Sequence, residues 1–209
     1  MTTRLFCRLG FALLMLWGGS TCASAQVLPF DVKTLRDGLP QSQMASMVQD
    51  NRGYIWVGTW GGLARYNGGR FHNYTTDDGL PSGRIQELLV DSRGTLWVAT
   101  AGGTVVMRGE RLTPIANLSL KKPRCRALLE DRDGAIWIGT DQGAYRVPKD
   151  TFRAEPAPDG LERQIIYDLA SDRGAILIAG DQGLWRYEPG GGYQQMDIPC
   201  PRNQIRTIA

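Results

Sequence analysis

The chain has 209 residues, is 42% hydrophobic, carries 26 glycines and has a formal net charge of +3. That balance suits a soluble, turn-rich β domain. So slight a basic excess asks for no nucleic-acid partner, and none is expected.

The first 26 residues, "MTTRLFCRLGFALLMLWGGSTCASAQ", place Arg4 and Arg8 ahead of an apolar run from Leu9 to Trp17, followed by Ala23-Ser24-Ala25. Charge, apolar stretch and small residues in that order predict a secretory signal peptide over residues 1–25, cleaved after Ala25. The run is too short to cross a bilayer comfortably. Cys22 lacks the preceding leucine of a lipoprotein signal. The expected location is therefore the periplasm, and export also argues against nucleic acid.

Residues 26–209 read as one repetitive domain. "DNRGYIWVGTWGGLARY" begins at Asp50, "DSRGTLWVATAGGTVVM" at Asp91, "DRDGAIWIGTDQGAYRV" at Asp131 and "SDRGAILIAGDQGLWRY" at Ser171. The copies align on Gly53, Gly94, Gly134 and Gly174, a period of about 40 residues. Three residues further on stand Trp56, Trp97, Trp137 and, in the fourth copy, Leu177. Upstream, apolar residues three apart open each repeat near positions 44, 85, 125, 166 and 205.

Within the first copy, strands are expected over 44–49, 54–59, 62–67 and 70–75, with glycine-rich turns between them. Four antiparallel strands in 40 residues have the dimensions of one β-propeller blade. The predicted fold is all-β, an incomplete propeller of about four blades plus edge strands. A single blade cannot bury both faces, so blades stack and the tryptophans fill the wedges between them. Burying an indole contributes on the order of 2–3 kcal/mol, so Trp56, Trp97 and Trp137 are read as packing anchors.

The pattern "GLP…(I/M)xx(L/M)…DxxGxxWxGT…GG(L)xxY" resembles the two-component regulator propeller repeat of bacterial sensors. The resemblance covers residues 27–209, and the fourth copy departs from it at Leu177 and Gly180. It implies the periplasmic sensing part of a hybrid histidine kinase or a diguanylate cyclase, anchored in the inner membrane. No catalytic residue travels with the repeat. A sialidase-type Asp-box does not fit, since it needs Asp two before the glycine and the chain has Asn51, Ser92, Arg132 and Asp172 there.

No catalytic constellation, metal-ligand spacing or cofactor motif is found in the residues. The single histidine, His72, is expected on the surface. Cys125 occupies an apolar register position and is expected in the core. Cys200 lies nearly two repeats away, so no disulfide is expected between them.

Ligand-binding candidates come from the turn after each second strand and the link into each next repeat, which emerge at one end of the blades. They are Trp60, Asp141 and Asp181, with Ala101 at the fourth equivalent position, and Arg84, Arg124 and Arg163 ahead of the first strands. A mixed rim of arginine, carboxylate and an exposed indole suits an anionic or sugar-like solute. The chain after Ala25 amounts to about four and a half repeats. Its first segment, "PFDVKTLRDGLP", matches only the last strand of a blade, so the missing blades and an output domain are expected beyond Ala209. A small-molecule or oligosaccharide ligand and a homodimer of the full-length sensor complete the expected partners. The alternative is the front part of a secreted propeller enzyme, a lyase or glycosidase acting on polysaccharide.

Overall fold

A computed structural model describes residues 31–118, 122–157, 161, 163–197 and 207–208, and residues from Lys33 onward form one unit. The expected signal peptide, Cys200 and position 205 lie outside the described residues. Among the described residues the chain makes four separate four-stranded antiparallel sheets. The first holds β1 (Met44–Gln49), β2 (Ile55–Thr59), β3 (Leu63–Tyr66) and β4 (Phe71–Tyr74). The second holds β5 (Ile85–Val90), β6 (Leu96–Thr100), β7 (Gly103–Arg108) and β8 (Arg111–Pro114). The third holds β9 (Cys125–Glu130), β10 (Ile136–Thr140), β11 (Gly143–Val147) and the short β12 (Glu155–Pro156). The fourth holds β13 (Ile166–Asp172), β14 (Ala175–Gly180), β15 (Gly183–Glu188) and β16 (Gly192–Met196). Each is a meander in which consecutive strands pair, and the expected blade architecture is present.

The sheets pack in chain order, each first strand touching the next: β1 on β5, β5 on β9, β9 on β13. Three apolar cores lie between successive sheets, and each buries the tryptophan of one repeat motif. Trp56 packs with Ile85 and Leu88 of the second sheet, Trp97 with Cys125 and Leu128 of the third, Trp137 with Ile166 and Leu169 of the fourth. The indoles are 3%, 1% and 0% exposed, as anchors in wedges should be. The second strands β2, β6 and β10 are apolar on both faces because both are covered. Glycine is needed where the next sheet comes closest. A Cβ on Gly58 would lie 2.6 Å from Ile85 Cγ2, and one on Gly139 2.8 Å from Ile166 Cγ2. Burial in the second of these cores pushes the Cys125 thiol up to about 12, which keeps it a neutral apolar side chain.

In three of the four sheets the turn after the first strand is wider than a tight two-residue hairpin. In the first three sheets the ladder closes at Gln49–Ile55, Val90–Leu96 and Glu130–Ile136, leaving five-residue loops. An aspartate holds each loop. Asp50 Oδ1 accepts the N–H groups of Arg52 (2.9 Å) and Tyr54 (3.0 Å), while Oδ2 accepts Trp56 Nε1 at 2.8 Å. Asp91 does the same for Arg93, Thr95 and Trp97, and Asp131 for Asp133, Ala135 and Trp137. The buried indole donor is thus satisfied by the turn residue that begins the motif. In the fourth sheet Leu177 needs no acceptor. There Asp172 pairs with Ala175 across a two-residue turn, Arg173-Gly174, and its carboxylate binds Arg186 instead.

The "TLRDGLP" and "TTDDGLP" segments form short 3-10 turns, Leu35–Asp37 and Thr76–Asp78, each closed by a reciprocal Thr–Asp capping box. Gly38 and Gly79 then take φ of 103° and 104°, which turns the chain toward the next sheet.

Candidate functional site

The turn between second and third strands is built by a threonine. Thr59 Oγ1 donates to Gly62 O at 2.8 Å and accepts from Gly61 N at 3.1 Å. Thr100 and Thr140 repeat both bonds. All three threonines are fully buried, so the residue after each is pushed to the end of the sheet. Those residues are Trp60, Ala101 and Asp141. The fourth sheet has Gly180 there, because a Cβ would come 2.9 Å from Gln164 Oε1 and 3.1 Å from Ile165 O. Asp181 follows it.

Each of these residues is tied to the link entering its own sheet. The N–H of Trp60 donates to Gln43 O, Ala101 to Arg84 O, Asp141 to Arg124 O and Asp181 to Ile165 O, at 3.0–3.1 Å. The four turn positions are therefore equivalent. The link positions equivalent to Arg84 and Arg124 are Gln43 and Ile165. Arg163 stands two residues ahead of that register, exposed and with φ of 61°. The sequence carries the same shift, since Arg84 and Arg124 directly precede Ile85 and Cys125 while Arg163 stands three residues before Ile166.

Of the six candidates, the structure brings Trp60 and Arg84 together. The Arg84 guanidinium carbon lies 4.0 Å from the Trp60 ring centroid, and the indole is 43% exposed. Such a cation–π pair in water is worth about 0.5–1 kcal/mol, so it orders two side chains at modest gain. Asp141 and Asp181 have a local duty. Asp141 Oδ1 accepts Arg124 N, and Asp181 Oδ1 accepts Ile165 N, both at 3.0 Å. Each thereby closes a two-bond ring with its link and keeps one carboxylate oxygen for solvent. Arg124 and Arg163 are exposed and make no ion pair among the described residues.

The arrangement offers guanidinium donors, an accessible indole face and two half-buried carboxylates, which together can hold a polar solute by hydrogen bonds and stacking. His72 is exposed, edge-on to the Tyr74 ring. Among the described residues no group of three His, Cys, Asp or Glu could hold a metal ion, and no helix is long and apolar enough to cross a membrane.

A carboxylate that the sequence did not single out lies on the innermost strands. Glu87 Oε2 accepts Leu128 N of the next sheet at 2.6 Å. Ser46 Oγ accepts Leu88 N at 3.2 Å, and Asp168 Oδ2 accepts Ile208 N at 2.7 Å, in the same relation. The third residue of each first strand thus latches onto the strand of the next repeat, except at Ala127. Burial raises the Glu87 carboxyl to about 7, the Leu128 bond works against that, and the Asp168 charge adds to it. The signal was present in the sequence as a polar residue inside an apolar strand.

Residues 38–61, 79–102 and 119–142 match the family model of the two component regulator propeller. No curated protein matches the chain. Among solved structures it is similar to the extracellular domain of BT4673 from B. thetaiotaomicron, assigned to a hybrid two component system. Identity there is 22% and the TM-score 0.69, covering 86% of this chain and 24% of that one. A second such domain from B. thetaiotaomicron, BT3049, gives 22% identity and a TM-score of 0.63, covering 77% of this chain and 24% of that one. Virginiamycin B lyase from Staphylococcus aureus gives 15% identity and a TM-score of 0.60, covering 77% of this chain and 57% of that one. The chain spans about a quarter of the length of these two extracellular domains. At these identities the likeness is one of fold. With its four propeller-type sheets and three matched stretches, the chain carries repeats of the two component regulator propeller type.

Proposed function

We propose that residues 26–209 are the exported, ligand-sensing propeller region of a bacterial signal-transduction protein, with its output in a histidine kinase or diguanylate cyclase part beyond Ala209. The observation that carries this reading is the match of three repeats to the two component regulator propeller. The likeness in fold to extracellular domains assigned to two component systems supports it. The amino-terminal segment supports export to the periplasm, with cleavage before Gln26. In this reading the propeller itself does no chemistry. It binds a small polar or sugar-like solute at the end of the sheets that carries Trp60, Arg84 and Arg124, with Asp141 and Asp181 bracing the links and Arg163 beside them. Further blades of the same protein, and a second copy in a homodimer, are the partners.

The test uses the full-length gene and its product. The reading frame after Ala209 is expected to run into more propeller repeats, a transmembrane segment and kinase or cyclase sequence. A continuation into lyase or glycosidase sequence would instead establish the secreted-enzyme alternative. In the full-length sensor, Trp60→Ala and the pair Arg84→Ala with Arg124→Ala are each expected to weaken the response to its inducer at least tenfold. An unchanged response in both would remove this end of the sheets as the sensing site.

A further inference from the structure

At the opposite end from Trp60, the turns following β1 and β5 enclose a cleft of about 250 Å³ between the first and second sheets. Three guanidiniums line it, those of Arg52, Arg65 and Arg93, against a single carboxylate, Asp50. Asp50 has little left to offer them, since its oxygens accept Trp56 Nε1 and two backbone N–H groups. Arg65 lies over Tyr54, 4.9 Å from its ring centroid, and over Trp56 at 5.6 Å. It pairs outward with Glu110 at 3.1 Å, a carboxylate 68% exposed. Arg93 pairs with Asp91 and with Asp150, which is 74% exposed. Arg52 has no ion pair among the described residues. The pairs to the exposed Glu110 and Asp150 are worth about 0–1 kcal/mol, so a better-placed anion can displace them, while the buried Asp91 keeps hold of Arg93.

The charge excess does not follow from the repeat itself. Between the second and third sheets the corresponding edge is closed, with Ser92 N and Oγ donating to Glu130 at 2.7 and 2.6 Å. Between the third and fourth sheets a cleft of about 390 Å³ is balanced, Arg132, Arg173 and Arg186 facing Asp131, Asp133 and Glu188. Of these three edges, the first has guanidiniums outnumbering carboxylates in its lining together with an aromatic wall.

We propose that this first cleft is a binding site for a small anion, one bearing a carboxylate, sulfate or phosphate on a body no larger than a monosaccharide. Arg52 and Arg93 supply forked donors for the anionic group. Tyr54, stiffened beneath Arg65, supplies the flat wall for its body. The site lies at the other end of the sheets from Trp60 and Arg84 and does not depend on the sensing role proposed for them.

Titration calorimetry of the full chain at low salt tests it, with inorganic sulfate, inorganic phosphate, glucuronate and, as neutral control, glucose. Saturable one-to-one binding is expected for at least one anion with a Kd below about 1 mM, and none for glucose. Stronger binding of glucuronate identifies a carboxylate ligand, and stronger binding of sulfate or phosphate an oxyanion. Arg52→Ala removes no contact of the fold and is expected to weaken binding at least tenfold, as is Arg93→Gln. Arg132→Ala and Trp60→Ala are expected to leave it within twofold. No saturable binding of any of the three anions overturns the proposal. So does binding that survives the Arg52→Ala, Arg93→Gln double variant, or that is lost in Trp60→Ala.

Discussion

Asp91 is only 3% exposed and still ionised. Burial by itself raises its carboxyl, but the bonds from Trp97 Nε1 and the N–H groups of Thr95 and Arg93, with the Arg93 charge, take it below the usual carboxylate range. Its folded value is depressed, so its stabilisation is present above the unfolded value and lost as pH falls through the folded one. Asp91→Ala would strand a buried indole donor and two loop donors, and is expected to cost about 2–4 kcal/mol. Urea denaturation near neutral pH measures it, and a loss under 1 kcal/mol would mean that water replaces the carboxylate. Glu87 has the opposite sign. Its folded value of about 7 exceeds the 4.5 of a free glutamate, so its contribution is full below the unfolded value and falls as pH rises through about 7. Glu87→Gln keeps an acceptor for Leu128 N and is expected to flatten the fall of Tm between pH 5 and 7. The same slope in both proteins would assign it to other groups.

At the scale of elements, the fourth sheet differs from the others in a correlated way. Losing the tryptophan removes the need for the aspartate-held loop, and the turn shortens to Arg173-Gly174 with φ of 50° and 94°. Two successive positive φ values suit the hairpin twist and favour Asn or Gly at the first position. Arg173 is strained there and makes no ion pair among the described residues. Arg173→Asn is therefore expected to stabilise the chain by about 0.5–1 kcal/mol, seen as a higher urea midpoint at unchanged slope. A lower midpoint would reveal a role for the guanidinium. The strands themselves were legible because apolar spacing and turn glycines are local signals. The length of the aspartate loop was not, since one spacing of Asp and Gly is compatible with either turn until the indole's partner is known.

Over the whole molecule, one repeat position behaves differently at the start of the stack. Ile85 and Leu88, Cys125 and Leu128, and Ile166 and Leu169 are all 7% exposed or less, each covered by the preceding sheet. Met44 and Met47, at the same positions of the first sheet, are 61% and 66% exposed. Uncovered apolar sheet faces promote association. The chain alone is expected to self-associate in a concentration-dependent way, and Met44→Lys with Met47→Lys to lower the associated fraction in size-exclusion chromatography. A monodisperse monomer with one sharp thermal transition would show that the face is tolerated in water. At the fourth sheet, Ile208 N donates to Asp168 as Leu128 N donates to Glu87, the same bond in both places.

What the sequence determined alone was the period, four strands to each repeat and the burial of three tryptophans. These follow from glycine conformations and apolar spacing within about 40 residues, which neighbours in the chain are enough to specify. The tertiary structure alone decided which side chains meet across repeats. Arg84 over Trp60, Glu87 on Leu128 and the guanidinium-lined cleft at Arg52 all depend on how closely one sheet lies on the next. That distance is set by the wedged indoles and by Gly58 and Gly139, whose missing side chains let the sheets approach.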